Sequence, residues 1–143
     1  MAAFNKFNEF TQDLGAGEHT LNATDTLKIA LTNTLPTAAD LNWNVTDHPA
    51  PTNANGYTAG GNSLTGVTYT ESAGVSTLTA TGGLVFTATA GGIGPFQYVV
   101  LYNSSSASPV NAAIGWYDYA SSISLADTET FTLTVTTNLL TVT

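Results

Sequence analysis

The chain has 143 residues, no cysteine, and two lysines with no arginine against ten carboxylate side chains, for a net charge of −8 at pH 7. This length is typical of one domain whose hydrophobic core needs no disulfide. The composition excludes disulfide, thiolate-metal and cysteine-nucleophile chemistry, and it argues against nucleic acid and anionic membranes as partners.

Charge is unusually sparse along the chain. Only 8% of the residues are charged and 26 are threonine, whereas roughly a quarter of residues are charged in ordinary soluble domains. Between Asp47 and Asp118 the only acidic or basic residue, histidine apart, is Glu71. Because free monomers normally carry mixed surface charges, this composition favours a protein packed in an assembly, or else an extracellular β-protein.

Four apolar residues near the start, Phe4, Phe7, Phe10 and Leu14, recur at the three- and four-residue spacing of a helix. The glycines at 15 and 17 then end the pattern. We predict a short amphipathic helix in an N-terminal helix or arm over residues 1–20, followed by a β-domain over residues 21–143. The four apolar side chains either cap the protein's own core or form a face that docks on a neighbouring chain.

Amides and charges interrupt the segment, which predicts that it is not a signal peptide.

From residue 24 onward, apolar residues recur at every second position, which predicts strands with one apolar and one hydroxyl-bearing face. This alternation is centred on residues 27–32, 41–45, 67–70, 84–87 and 130–136. The segment from Phe96 to Tyr102 lacks polar alternation and predicts a central strand buried on both faces. A further strand is predicted from Ala113 to Tyr119.

Turn-forming residues separate these segments at short intervals. The predicted turns include Glu71-Ser72-Ala73-Gly74, Gly82-Gly83, Gly91 to Pro95, and Asn103 to Pro109. About eight short strands predict an all-β fold, an antiparallel, jelly-roll-like β-sandwich, with a barrel as the alternative. The stretch from Thr46 to Ser63 is long for a loop, and such loops are usually functional or mobile.

The sequence contains no recognisable catalytic motif. The segments around Ser63 and Ser76 lack the Gly-x-Ser-x-Gly nucleophile elbow, and the only histidines, His19 and His48, are typical of solvated loop residues. Asp118, flanked by Tyr117 and Tyr119, is either an acid of raised pKa or an ordinary outward-facing strand residue. We predict no enzymatic activity, no cofactor and no bound metal.

Several motifs together resemble small virion proteins of tailed bacteriophages, of the class called capsid decoration or cement proteins. Besides the Phe-rich start they are Leu27-Lys28-Ile29-Ala30-Leu31-Thr32-Asn33, Asn55-Gly56-Tyr57-Thr58-Ala59-Gly60-Gly61, Gly94-Pro95-Phe96-Gln97-Tyr98 to Asn103, and Ile114-Gly115-Trp116-Tyr117-Asp118-Tyr119. The resemblance implies a small β-sandwich or jelly roll, made in the host cytoplasm and bound to the outer surface of the virion capsid. Its expected partners are the major capsid protein and further copies of itself, as a dimer or trimer, and the family has no catalytic residues.

A second hypothesis is a tail- or fibre-associated module that binds a carbohydrate or a receptor. In that case Trp43, Tyr57, Trp116 and Tyr119 would serve as stacking platforms for sugar rings. A glycan-active enzyme is a third and weaker hypothesis. Such an enzyme needs two carboxylates facing each other across a cleft, and the sequence does not show such a pair.

Overall fold

The structure consists mainly of antiparallel β-strands. It is a computed structural model that describes residues 2–81, 83–135 and 139–143. The elements are β1 Ala3–Lys6, α1 Phe10–Ala16, β2 Leu27–Thr32, β3 Asn53–Ala54, β4 Asn62–Ser63, β5 Thr68–Ser72, β6 Val75–Thr79, β7 Gly83–Thr87, β8 Ile93–Ala107, β9 Val110–Leu125, β10 Thr130–Thr134 and β11 Leu140–Val142. All pairings between described strands are antiparallel, which confirms the all-β prediction. Within these ranges, no helix has the length and apolar character needed to cross a membrane.

The strands form one large sheet and two small ones. The large sheet has the order β1-β9-β8-β2-β4, with β3 also paired to β8. Its centre is a hairpin of two long strands, β8 with 15 residues and β9 with 16. The small sheets have the orders β10-β7 and β11-β6-β5.

Strand β8 is buried on both faces in its central part, from Tyr98 to Tyr102, which lies within the predicted segment Phe96 to Tyr102. It lies between β9 and β2 in the sheet. Val99 and Leu101 belong to the main hydrophobic cluster, while Tyr98 and Val100 belong to a second cluster. Because successive strand residues point to opposite faces, these two clusters lie on opposite sides of the sheet, and both sets of positions must be apolar.

The main hydrophobic cluster contains side chains from all three sheets and therefore joins them into one core. Its members include Ile29, Leu101 and Tyr117 from the large sheet, Phe86 and Leu133 from the two-stranded sheet, and Leu78 and Leu140 from the three-stranded sheet. Strand β10 follows the predicted alternation, with Phe131 and Leu133 buried between exposed threonines. The predicted Thr136 of this strand and the predicted turn residue Gly82 lie outside the described residues.

The second cluster covers the opposite face of the large sheet with residues from outside the strands. Phe7 lies 4.7 Å from Trp116 between ring centroids. Trp43, from the connection between β2 and β3, stacks on Tyr102 at 5.0 Å with an interplanar angle of 15°. This side of the sheet is therefore closed by irregular segments.

The prediction of a helix beginning at Phe4 is wrong. Phe4 lies in β1 opposite Tyr117 of β9, and the helix begins only at Phe10. A Cβ at Gly115 would overlap the Phe4 ring, so this glycine makes room for the aromatic side chain on the strand. A short isolated helix is marginal in water, and pairing with β9 satisfies this backbone instead. Residues 3–6 are thus part of the large sheet.

The four apolar residues of the predicted docking face do not form one exposed surface. Phe7 and Phe10 are both 0% exposed and lie in the protein's own core. Phe4 and Leu14 are half-buried and pack against the main cluster. The structure thus supports the first interpretation, that this segment completes the internal core.

The strand predicted over residues 41–45 is not formed, apart from one isolated bridge between Asn42 and Ala112. Leu41 and Val45 are exposed instead, and only Trp43 of the three apolar residues packs against the sheet. The alternation is present, but this backbone meets β9 only around Asn42, where the Leu41 carbonyl accepts from the Ala113 amide and the Trp43 amide donates to the Asn111 carbonyl. The contact is too short to form a strand.

The turn predicted from Asn103 to Pro109 is present only at Ser108-Pro109, because β8 continues to Ala107. Its polar residues are held by specific partners: Ser104 donates from its backbone N and its Oγ to the carbonyl of Thr26, each at 2.9 Å. The Asn103 amide donates to the carbonyl of Glu18 at 3.1 Å. By contrast, the turn at Ala73-Gly74 is confirmed, with φ values of 52° and 83°.

We predict that Phe7→Ala and Phe10→Ala each lower the free energy of unfolding by about 3–5 kcal/mol, because each removes a fully buried ring. Leu35→Ala is the control, since Leu35 is 62% exposed and should change stability by less than about 0.5 kcal/mol. Urea denaturation measures all three. Unchanged stability of both phenylalanine variants would contradict their place in the core.

A second prediction concerns Gly61, which lies beside β2 with φ +69°, where an added Cβ would overlap the carbonyl oxygen of Ile29. Gly74 has a similar φ of +83° but open space around it. Gly74→Ala should therefore show only the cost of the left-handed backbone, about 1–2 kcal/mol. Gly61→Ala should exceed it by a further 1–3 kcal/mol, roughly the cost of overpacking. Equal losses in thermal or urea unfolding would show that the close approach is absent.

Candidate functional site

The four aromatic residues predicted as stacking platforms do not come together on one surface. Tyr57 is buried in the main core, its hydroxyl accepts a 2.9 Å hydrogen bond from the Leu31 amide, and burial raises its pKa to about 12. Trp116 is buried in the second cluster and packs on Phe7. Tyr119 packs edge-on against Phe131. Trp43 is half-buried and stacks on Tyr102. The four residues chosen from the sequence are therefore aromatic side chains that pack within the protein.

Asp118 does not have the properties of a general acid. Its Oδ1 accepts hydrogen bonds from Gln97 Nε2 at 3.0 Å and from the Ala120 amide at 2.7 Å. These bonds stabilise the carboxylate and hold the pKa of Asp118 below its usual value. The ordinary interpretation, a polar residue on a strand, is the one that the structure supports.

Both histidines are buried, contrary to the expectation of solvated loop residues. His19 Nδ1 lies 3.4 Å from the amide nitrogen of Asn103, and burial lowers the pKa of this ring. His48 Nε2 lies 3.2 Å from Oδ2 of Asp40, but the alignment does not make a hydrogen bond. Within the described ranges, no group of three histidine or acidic side chains is arranged to hold a metal ion.

One surface cleft, of about 290 Å³, separates β1 and α1 from the C-terminal strand β11. Its lining includes Phe4, Lys6, Phe10 and Thr11, so two of the predicted partner-binding residues border it. Strands β1 and β11 are the outermost strands of their sheets. The cleft is therefore a boundary between two sheet margins.

A second cleft lies between α1 and the tip of the β8–β9 hairpin, and has a volume of about 400 Å³. We call it the acidic notch. Its lining residues are Glu9, Gln12, Asp13, Leu41, Ser108 and Pro109. One wall is polar and consists of Gln12 and Asp13 of α1 with Glu9 just before the helix. The opposite wall consists of the hairpin tip and Leu41.

Asp13 is an unusual residue of the acidic notch. It is 6% exposed, and its Oδ2 is buried with no hydrogen-bond partner among the described residues. Burial is the main cause that raises the pKa of Asp13, and the negative charges of Glu9 and Glu18 raise it further. The only ion pair within 4 Å in the described ranges joins His48 and Asp40, so no lysine of this part of the chain neutralises the notch.

Exposed apolar side chains adjoin the acidic notch. Leu41 is 51% exposed and Val110 is 61% exposed. They belong to adjacent segments, because the Leu41 carbonyl accepts a hydrogen bond from the Ala113 amide at 3.1 Å and the Asn42 side chain donates to the Val110 carbonyl at 3.2 Å. An unpaired acid and two exposed hydrophobic residues therefore share one end of the molecule.

Sequence reasoning missed this site. The available signal was the spacing of Glu9 and Asp13, since like charges four residues apart destabilise a helix. Their meeting with Leu41 and Pro109 depends on long-range folding and could not be read from local spacing.

A scan against protein-family models, a search of curated proteins and a search of solved structures each found no match to this chain. Function therefore has to be inferred from the residues and surfaces of the chain itself.

We predict that Asp13→Asn stabilises the protein at pH 7. Because the pKa of Asp13 is raised in the folded state, folding is favoured while this group is protonated, and that stability is lost as the pH rises through the folded pKa. Asparagine removes the charge and its penalty. The melting temperature of the variant should exceed that of the wild type at pH 7, and the difference should shrink towards pH 4 and below.

Asp127→Asn is the control for this prediction, because Asp127 is an exposed acid in the β9–β10 connection. It should leave the melting temperature nearly unchanged at either pH. A lower melting temperature for Asp13→Asn at pH 7 would show that the carboxylate has a stabilising partner.

Proposed function

We propose that this protein is a non-enzymatic capsid decoration protein of a tailed bacteriophage. In this role it binds the outer surface of the shell formed by the major capsid protein and stabilises it, as a homodimer or homotrimer. The observation that carries the proposal is the pair of exposed apolar residues Leu41 and Val110. It occurs in a chain whose residues 48 to 117 contain a single acidic residue, Glu71, and no lysine or arginine.

The character of this surface supports binding to a protein. Contiguous exposed apolar side chains often mark interaction sites, and the centres of protein interfaces are depleted in charged residues. Neutral hydroxyl and amide groups are also less costly to remove from water than charged groups. A protein that remains on a shell exterior needs no basic surface, because it does not contact the packaged DNA.

We further propose that the three sheets form a β-sandwich of the jelly-roll type. Support comes from the main cluster, in which strands of both small sheets share one core with the large sheet. Such a framework leaves its loops and hairpin tips available for contacts.

The tail or fibre module that binds carbohydrate has less support. Sugar-stacking platforms have to expose an aromatic face, whereas Tyr57 and Trp116 are buried and Tyr119 packs against Phe131. A saturable signal on a glycan array with the isolated protein would favour that alternative.

The test is co-sedimentation of the purified protein with shells assembled from the major capsid protein encoded in the same genome. We expect saturable binding at a fixed copy number per shell. Leu41→Ser together with Val110→Ser should weaken this binding by about tenfold or more, since each exposed aliphatic group would otherwise be buried on binding.

The matched control replaces two other exposed aliphatic residues, Val75→Ser together with Val85→Ser. These belong to the small sheets and should leave shell binding unchanged. Wild-type protein that does not sediment with the shells at tens of micromolar would overturn the proposed function.

A further inference from the structure

We propose that the acidic notch binds a lysine or arginine side chain presented by the surface of a partner protein. This inference rests on the proposed function when that partner is identified as the major capsid protein. The notch itself is defined by α1, Leu41 and the tip of the β8–β9 hairpin.

The charges in the notch are the first reason. Glu9 and Asp13 line it, and Glu18 lies near enough to disfavour ionisation of Asp13. Asp13 Oδ2 is buried without a hydrogen-bond partner in the described part of the protein. Buried polar atoms in folded proteins are nearly always paired, so Asp13 is a carboxyl group whose charge, when ionised, no group in the described part of the protein compensates.

The two lysines of the sequence do not fill this role. Lys6 lines the other cleft, beside β11. Lys28 lies in β2, opposite Tyr102 of β8 and Ser63 of β4. Since the sequence contains no arginine, no lysine or arginine side chain of the described residues supplies the complementary charge, and a second copy could offer only these same two lysines.

The wall opposite the acids favours a long basic side chain over a metal ion. It is formed by Leu41, Ser108 and Pro109, of which Leu41 and Pro109 offer apolar surface. Lysine and arginine combine an aliphatic stem with a charged end, so the stem would lie on this wall while the charged group reaches Asp13 and Glu9. The exposed Val110 beside Leu41 extends the apolar contact on the partner surface.

The experiment compares shell binding by the full-length wild type with that of the double variant Glu9→Gln, Asp13→Asn. We expect the double variant to bind about tenfold more weakly or worse, with a flatter dependence on salt. Its melting temperature at pH 7 should not fall, which separates lost recognition from lost folding. The control Glu71→Gln, Asp127→Asn removes the same net charge elsewhere and should bind as the wild type does.

A second measurement does not depend on the capsid. Nα-acetyl-arginine amide is titrated into the wild-type protein, and amide chemical shifts are followed by NMR, with Nα-acetyl-citrulline amide as the uncharged isostere. We expect the arginine probe to shift the amides of Gln12, Asp13, Leu41 and Ser108. The citrulline probe should shift none of them, and the Glu9→Gln, Asp13→Asn variant should not respond to either probe.

The possible outcomes distinguish the two proposals. Shell binding that is unchanged in the notch variant would overturn this inference while leaving the proposed function intact. A notch that binds the arginine probe in a protein that does not bind shells would support the inference and overturn the proposed function. Equal responses to both probes would refute recognition of charge. A dimer that dissociates in both the notch variant and Lys6→Gln would make a second copy the occupant, against the proposal.

Discussion

The burial of the β8–β9 hairpin on both faces is the constraint on which the rest of the structure depends. Alternate residues of β8 enter two different hydrophobic clusters, so the large sheet must be covered twice. One face is covered by the two small sheets, and the other by Phe7, Trp43 and their irregular segments. Buried backbone outside regular structure must still find hydrogen-bond partners. The Tyr102 hydroxyl, for example, donates to the Gly60 carbonyl at 2.7 Å. The next residue, Gly61, packs closely against Ile29 of β2. These contacts fix the irregular segment against the large sheet.

This double covering also explains where a binding surface can lie. The aromatic residues that would suit a ligand platform are packed inside the protein, where they cover the large sheet. The faces of this sheet are therefore not available to a partner. What remains are sheet margins, loops and the hairpin tip. Beside the hairpin tip, Leu41 and Val110 are two of the exposed aliphatic residues of the protein, and α1 places Asp13 in the same cleft lining as Leu41. An exposed apolar pair and a buried acid without a hydrogen-bond partner for its Oδ2 therefore occur together in this region.

The sequence was sufficient where a local pattern and the core impose the same demand. Strand β10 alternates because one face meets the main cluster and the other meets water. Strand β8 lacks this alternation from Tyr98 to Tyr102 because both of its faces are covered there. Prediction failed where a distant partner decides the structure. The spacing of Phe4, Phe7 and Phe10 suits a helix, yet Phe4 lies in β1, paired with β9. The missing Cβ of Gly115 leaves room there for the Phe4 ring. The alternation at residues 41–45 suits a strand, yet this segment meets β9 only at a single bridge around Asn42. The acidic notch combines the chain start, residue 41 and the hairpin tip, and no local pattern connects these segments.

The energetics of Asp13 connect folding with binding. A carboxylate that is buried without a cation beside two other acids weakens the folded state when ionised. Its neighbours are arranged so that the penalty is not relieved within the described part of the chain. A basic group of a partner would neutralise this charge and remove the penalty, which would add to the binding free energy. The cost of binding is small at such a site, because Asp13 is already desolvated and ordered in the free protein. An uncompensated acid of this kind differs from an exposed acid such as Asp127, which loses its hydration on binding and gains little. The same residue would therefore lower the stability of the free protein and strengthen its complex.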